Sequence, residues 1–270
     1  MKIILSRKGF DAGYGGQPSP ILPDGTLLSM PIPLDDEIVK YSDLHHNGEN
    51  YYKILKDLKP NCQIQLNQNC HLDPDLRFLA TKRQEKWKPI FGQVGAAQTH
   101  LQNQGVSIDD IFLFFGWFRH TQIINEKYSY KYGSPDLHLI YGYLQIGEIY
   151  TYKNPFPDYA SHHPHSRERF NSLKNNCIYV AKDKLTFDET LPGSDNFKFK
   201  DNLVLTKKGM SRSKWELPEF FKEVDISYHT KESFKAGYFQ SAAKGQEFVI
   251  SVDKNVNLFK WTKELIMGNK

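Results

Sequence analysis

Much that would mark a chemistry at sight is missing from this chain. No apolar stretch approaches the roughly 18 residues needed to span a bilayer, and mean hydropathy is −0.58, so no membrane partner is expected. The three cysteines, Cys62, Cys70 and Cys177, are odd in number and form no CxxC. That fits the reduced thiols of a cytoplasmic protein better than a disulfide framework. The first residues hold no long apolar core of a signal peptide, because charge arrives at Arg7. Net charge is only +4 over 270 residues, which excludes a histone-like attraction of the whole surface to nucleic acid. Repeats and low-complexity tails are absent. So are a P-loop, a dinucleotide-binding fingerprint, and a Gly-x-Ser-x-Gly elbow that could make Ser211 an acyl-transfer nucleophile.

What is present begins at once. Ile3-Ile4-Leu5 reads as a buried strand, followed by Ser6-Arg7-Lys8-Gly9-Phe10-Asp11 and a loop carrying Gly13, Gly15, Gly16, Pro18 and Pro20. Strand, polar cluster and glycine loop can deliver charged side chains to the lip of a sheet. Arg7 and Lys8 suit phosphate, and Gly15-Gly16 would let backbone amides approach an anion. A plain first strand with an ion pair and a tight turn is the alternative.

Positive charge is concentrated further along. Between 198 and 214 stand Lys198, Lys200, Lys207, Lys208, Arg212 and Lys214 against the single acid Asp201, a stripe able to track phosphates or simply to face solvent. Ser211-Arg212-Ser213-Lys214-Trp215 adds hydroxyls, a guanidinium and an indole, the groups that phosphate and base recognition use. An exposed turn anchored by a core Trp215 is the competing reading.

Strand patterns dominate. Asp110 to Arg119 is an almost continuous apolar and aromatic run, and Leu137 to Tyr150 is a second long strand with Gly142 and Gly147 at bulges or bends. Cys177 to Ala181, Leu203 to Thr206 and Phe248 to Val252 are shorter ones. Helices are expected over Asn50 to Leu58, Gly92 to Gln104 and Val256 to Ile266. In the second, Gln93, Ala97, His100 and Gln104 share one side while Val94, Gln98 and Leu101 share the next, and Gly105 stands where a left-handed cap belongs. The Gln98/His100 face is a candidate site on a helix otherwise built for close packing. Asn154 to Arg169 reads as a loop or insertion. Its His162, His163 and His165 lack a Cys or second His pair at ligand spacing nearby, so no metal site is expected. No cofactor-binding loop is recognised. The fold class expected is α+β: a strand-rich mixed fold, with a curved sheet or barrel and a few packed helices. One compact domain over 1–270, with a barrel subdomain at about 105–185, is the simplest organisation.

The segments SRKGFDAGYGGQPSPILPDGTLLSMPIP (6–33), FGQVGAAQTHLQNQGV (91–106), DDIFLFFGWFR (109–119), HLIYGYLQIGEI (138–149), LTKKGMSRSKWELP (205–218) and GQEFV (245–249) resemble the bacterial and phage family called nucleotide modification associated domain, type three. The resemblance covers nearly the whole chain and implies a role in making, reading or processing modified DNA bases. More loosely, the two long strands resemble the core of PUA-like domains of the EVE and ASCH groups, with Asp109-Asp110 in place of their Gly-Asp turn. That similarity implies a pocket holding a flipped or modified base beside Trp117, Phe118 and Arg119.

Two functions follow. In the first, the protein binds a nucleotide or DNA and recognises a base in an aromatic and basic pocket, with Arg7, Lys8, Gln98, Trp117, Arg119, Ser211, Arg212 and Trp215 as binding residues. In the second, it is a transferase or hydrolase acting on a nucleotide or DNA base. Asp11 is then general base, His100 joins it in catalysis, and Arg7, Lys8, His100 and Arg119 hold phosphates. Either reading has the N-terminal cluster, the Gln98/His100 face and the Ser211-Arg212 turn sharing one pocket.

Overall fold

The computed structural model describes residues 1–243, 247–252 and 256–269; Gly245 and Gln246 of the last family motif lie outside the described residues. Nine strands form one mixed sheet: β1 (Lys2–Arg7), β2 (Ser19–Ile21), β3 (Ile90–Gln93), β4 (Ile111–Ile124), β5 (Lys127–Tyr130), β6 (Leu137–Thr151), β7 (Cys177–Ala181), β8 (Ser194–Asn196) and β9 (Glu247–Ser251). Its spine runs β9-β1-β4-β6-β7-β3, while β2 and β5 pair with β4, and β8 pairs with β6. The fold is α+β and strand-rich, and no closed barrel forms among the described residues.

The apolar runs explain the centre of the sheet. Ile3, Ile4 and Leu5 are buried, as are Ile111 to Phe115, so β1 and β4 are covered on both faces. They pair in parallel, Ile3 opposite Ile111 and Arg7 opposite Phe115, and β9 closes the other edge of β1 antiparallel. At Gly116 a Cβ would stand 2.7 Å from the Lys8 carbonyl oxygen. The missing side chain lets the end of β1 continue against β4, where the Lys8 amide donates to Phe115 O at 2.9 Å.

The two long strands are neighbours as expected, from Leu137 opposite Phe118 to Gln145 opposite Ile111. Their register slips between Ile140 and Gly142, and the β6–β7 register slips between Ile146 and Glu148. Both irregularities sit at the expected glycines. Beyond Arg119, β4 runs on to Ile124 and turns back as β5 through Asn125 and Glu126, both at positive φ, as a two-residue hairpin requires. The segment after Arg119 is therefore largely a hairpin.

Four helices are described: α1 (Tyr51–Leu58), α2 (Gly95–Asn103), α3 (Glu168–Asn171) and α4 (Val256–Met267). Asn50 caps α1 by accepting the Lys53 amide. The second helix starts later than its periodicity suggests. Ile90 to Gln93 is buried and pairs with β7, because a four-residue apolar segment beside an open strand edge completes a ladder before it turns helical. Leu203 to Thr206 is no strand either. The Leu205 and Thr206 amides both reach His138 O, which breaks the alternation a ladder needs.

A second cluster of buried residues, including Phe10, Met30, Tyr41 and Leu55, packs around α1 apart from the core of the sheet. No helix is long and apolar enough to cross a membrane among the described residues.

Candidate functional site

A cleft of about 950 Å³ opens where β1 ends, and it collects residues from the whole length of the chain. Arg7, Lys8 and Asp11 line it from the N-terminal segment, Trp117 from β4, and Ser211 and Arg212 from the turn before Trp215. The expected convergence of the N-terminal cluster with the Ser211-Arg212 turn is thus present.

Arg7 donates to Ala243 O at 3.0 Å. Burial lowers its pKa from the ordinary arginine value; Asp11 opposes the shift and the nearby Arg212 adds to it. The Arg212 guanidinium lies 4.1 Å over the Trp117 ring, a cation–π stack. Trp117 Nε1 is buried and has no hydrogen-bond partner among the described residues. Lys8 is committed to structure: its ammonium is 2.9 Å from Glu247 Oε1, with side chains 10% and 0% exposed. The same oxygen accepts Gln93 Nε2 at 2.6 Å.

Asp11 also serves its own loop. Its Oδ1 accepts the Gly13 and Tyr14 amides, both at 2.7 Å, and its carbonyl accepts the Gly16 amide. The glycine loop therefore folds three of its amides onto Asp11.

The remaining candidates lie elsewhere. Gln98 is buried and accepts the Tyr179 hydroxyl at 2.9 Å. His100 meets Ser227 Oγ at 2.9 Å and packs on Tyr228, outside the residues that line the cleft. Arg119 turns to Asp136, 2.6 Å away, and lies over Tyr130. Trp215 is a core residue, 1% exposed, with Nε1 donating to His138 Nδ1 and to Arg212 O at 3.1 Å each. The basic stripe is divided. Lys198 meets Asp24, Lys207 meets Glu216, Lys214 lies over Tyr238, and of the six cations Arg212 lines the cleft.

Lining residues His71, Asp73 and His138 carry chemistry the sequence patterns do not single out, and Gln93, expected on the His100 side of a helix, reaches the cleft from β3. His165, expected only within its own histidine-rich loop, joins them there. Burial, then Arg212 and Arg7, push the His138 pKa down to about 3. Because its Nδ1 accepts the Trp215 indole, the neutral ring carries its proton on Nε2.

His138 titrates near 6.5 when unfolded, so the folded state loses stability as pH falls from 6.5 toward 3, by about 1.4 kcal/mol per pH unit. His138→Asn keeps an acceptor for the indole and cannot be protonated. Chemical denaturation between pH 7 and 4 is expected to show a slope smaller by about one proton in this variant. An unchanged slope would contradict the assignment.

His71, Asp73 and His165 each offer one donor atom, and the three atoms lie within 4.8 Å of one another. The His71 Nδ1 meets Glu37 Oε1 at 2.8 Å, and the His165 Nδ1 meets Asn176 Oδ1 at 2.7 Å. Asp73 Oδ1 accepts the Gly92 amide at 2.7 Å, and His163 Nε2 lies 3.2 Å from it. A Cβ on Gly92 would fall 2.3 Å from the His165 ring, so this glycine makes room for the imidazole.

A family model described as nucleotide modification associated domain 3 matches residues 2–251. No curated protein and no solved structure matches the chain.

Proposed function

Because this chain belongs to the nucleotide modification associated domain 3 family, we propose that it binds a nucleotide, free or within DNA, in the cleft at the end of β1. The phosphate meets Arg7 and Arg212, and the base lies against the Trp117 side. The carrying observation is the meeting of Arg7 and Arg212, far apart in sequence, beside an indole that one of them covers. Two guanidiniums are well suited to phosphate oxygens, and an indole lining the same cleft offers a stacking surface. Ser211 supplies a hydroxyl on the same rim. The modified base is the ligand this family relationship favours.

Equilibrium binding of short single-stranded DNA and of deoxynucleoside monophosphates, with and without base modification, tests this at several salt concentrations. Arg212→Ala is expected to weaken binding of every sequence and to reduce the DNA salt slope by about one unit. Trp117→Ala is expected to cost about 1–3 kcal/mol for the bound base. Affinity that ignores both substitutions overturns the reading.

A further inference from the structure

We propose that His71, Asp73 and His165 form a binding site for one divalent transition-metal ion on the wall of the cleft. The three residues come from two segments far apart in sequence. His71 follows Cys70 in a two-residue strand paired with Ile32–Pro33, Asp73 stands two positions later, and His165 lies in the turn Pro164–Ser166. Their donor atoms nevertheless gather within 4.8 Å, and all three residues face the cleft.

The hydrogen bonds behind the rings fix what they present in front. His71 Nδ1 can approach the Glu37 carboxylate at 2.8 Å only as a donor, and His165 Nδ1 likewise donates to Asn176 Oδ1. The Asn176 amide is itself held, with Nδ2 donating to His165 O at 2.7 Å. In the neutral rings both Nε2 atoms then present lone pairs, and His71 Nε2 lies 3.9 Å from Asp73 Oδ2. Two lone pairs and a carboxylate oxygen pointing together repel one another unless a cation stands among them. An imidazole whose rear N–H is held by a carboxylate or amide oxygen is the usual support of a metal-bound histidine.

The charges agree. Glu37 and Asp73 have side chains 3% and 4% exposed, and among the described residues neither forms an ion pair with lysine or arginine; the groups that face them are the imidazoles of His71 and, for Asp73, also His163. Buried carboxylates of this kind are paired or coordinate metals. Two imidazoles and one carboxylate suit zinc, iron, manganese or nickel rather than calcium or magnesium. Three protein ligands leave coordination positions open toward the cleft. Donors on one zinc at about 2.1 Å would stand about 3.4 Å apart, so binding draws these atoms inward. The competing account is a protonated His71 bridging Glu37 and Asp73 with no metal.

The test uses the full chain without any nucleotide, so its outcome is separate from that of the nucleotide reading. Chelator-treated protein is titrated with Zn²⁺ by calorimetry and with Co²⁺ by visible absorption, and bound metal is counted by elemental analysis. The expected result is one equivalent, with Co²⁺ bands of a low-coordinate nitrogen and oxygen site. His71→Ala is expected to weaken binding at least 100-fold, and Glu37→Gln 10–100-fold by loosening the His71 ring. Asp73→Asn should act like His71→Ala, and circular dichroism establishes that each variant is folded. If Asp73→Asn does not fold, the His71 and Glu37 variants decide. Absence of a stoichiometric ion in the wild type, or affinity untouched by His71→Ala, overturns the proposal.

Discussion

Replacing Arg83 with alanine is expected to lower the unfolding free energy by about 3–5 kcal/mol. Arg83 clamps Asp75 through two hydrogen bonds of 2.6 Å, and both side chains are 2% exposed. The same guanidinium reaches the carbonyls of Phe78 and Arg77 and lies 4.5 Å from the Trp87 ring centre. Trp87 and His162 also approach Asp75 Oδ2, at 3.2 and 3.3 Å. Without the guanidinium, a buried carboxylate keeps only these two weaker partners and two carbonyls lose their donor. Urea denaturation at pH 7 measures the loss, and a change below about 1 kcal/mol would refute the account. Burial pushes the Asp75 pKa up, but the His162 hydrogen bond and Arg83 outweigh it, leaving the carboxyl below its ordinary 3.8. Its stabilisation is therefore complete above that pH and is lost as pH falls through the lowered value.

Lys8→Met is expected to cost a similar 3–5 kcal/mol, for the same reason at a different place. Glu247 is fully buried, its Oε2 has no hydrogen-bond partner among the described residues, and its Oε1 accepts from Lys8 and Gln93. Removing the ammonium leaves a buried charge with only the Gln93 amide in contact and Arg7 acting from farther off. Adding Glu247→Gln removes the charge as well, so the double variant is expected to recover most of the loss. A double-mutant cycle by thermal and urea denaturation checks this. Additive losses in the double variant would show that the pair is not the source.

That Arg7, Trp117 and Arg212 line one cleft is legible because each places polar or aromatic chemistry at a strand end or turn, whereas Asp11 is taken up by its own loop. Paired long strands followed from unbroken apolar runs, and bulges from Gly142 and Gly147. Trp215 could not be resolved in the same way. An indole looks alike whether it stacks on a base or fills a core, and only the placement of His138 and Arg212 O decides. Gln98 and His100 were hidden for a related reason, since their partners Tyr179 and Ser227 come from remote segments. His71 and Asp73 carried a faint signal, a His-x-Asp beside a proline. Its meaning depends on His165, which the chain brings back from the far side of two long strands.

The position of β1 has a consequence for how the protein comes into being. Its two neighbours are β4 from mid-chain and β9 from beyond residue 246. At roughly 5–20 residues per second, a ribosome delivers β9 on the order of ten seconds or more after β1. During that wait Ile3, Ile4 and Leu5 present an apolar edge to other nascent chains, the state in which strands pair wrongly. Pairing across such a separation also folds slowly. Lys8 and Gln93 share an acceptor that arrives only with Glu247, so the cleft is among the last parts to assemble. The complete lining of the cleft therefore requires translation through β9.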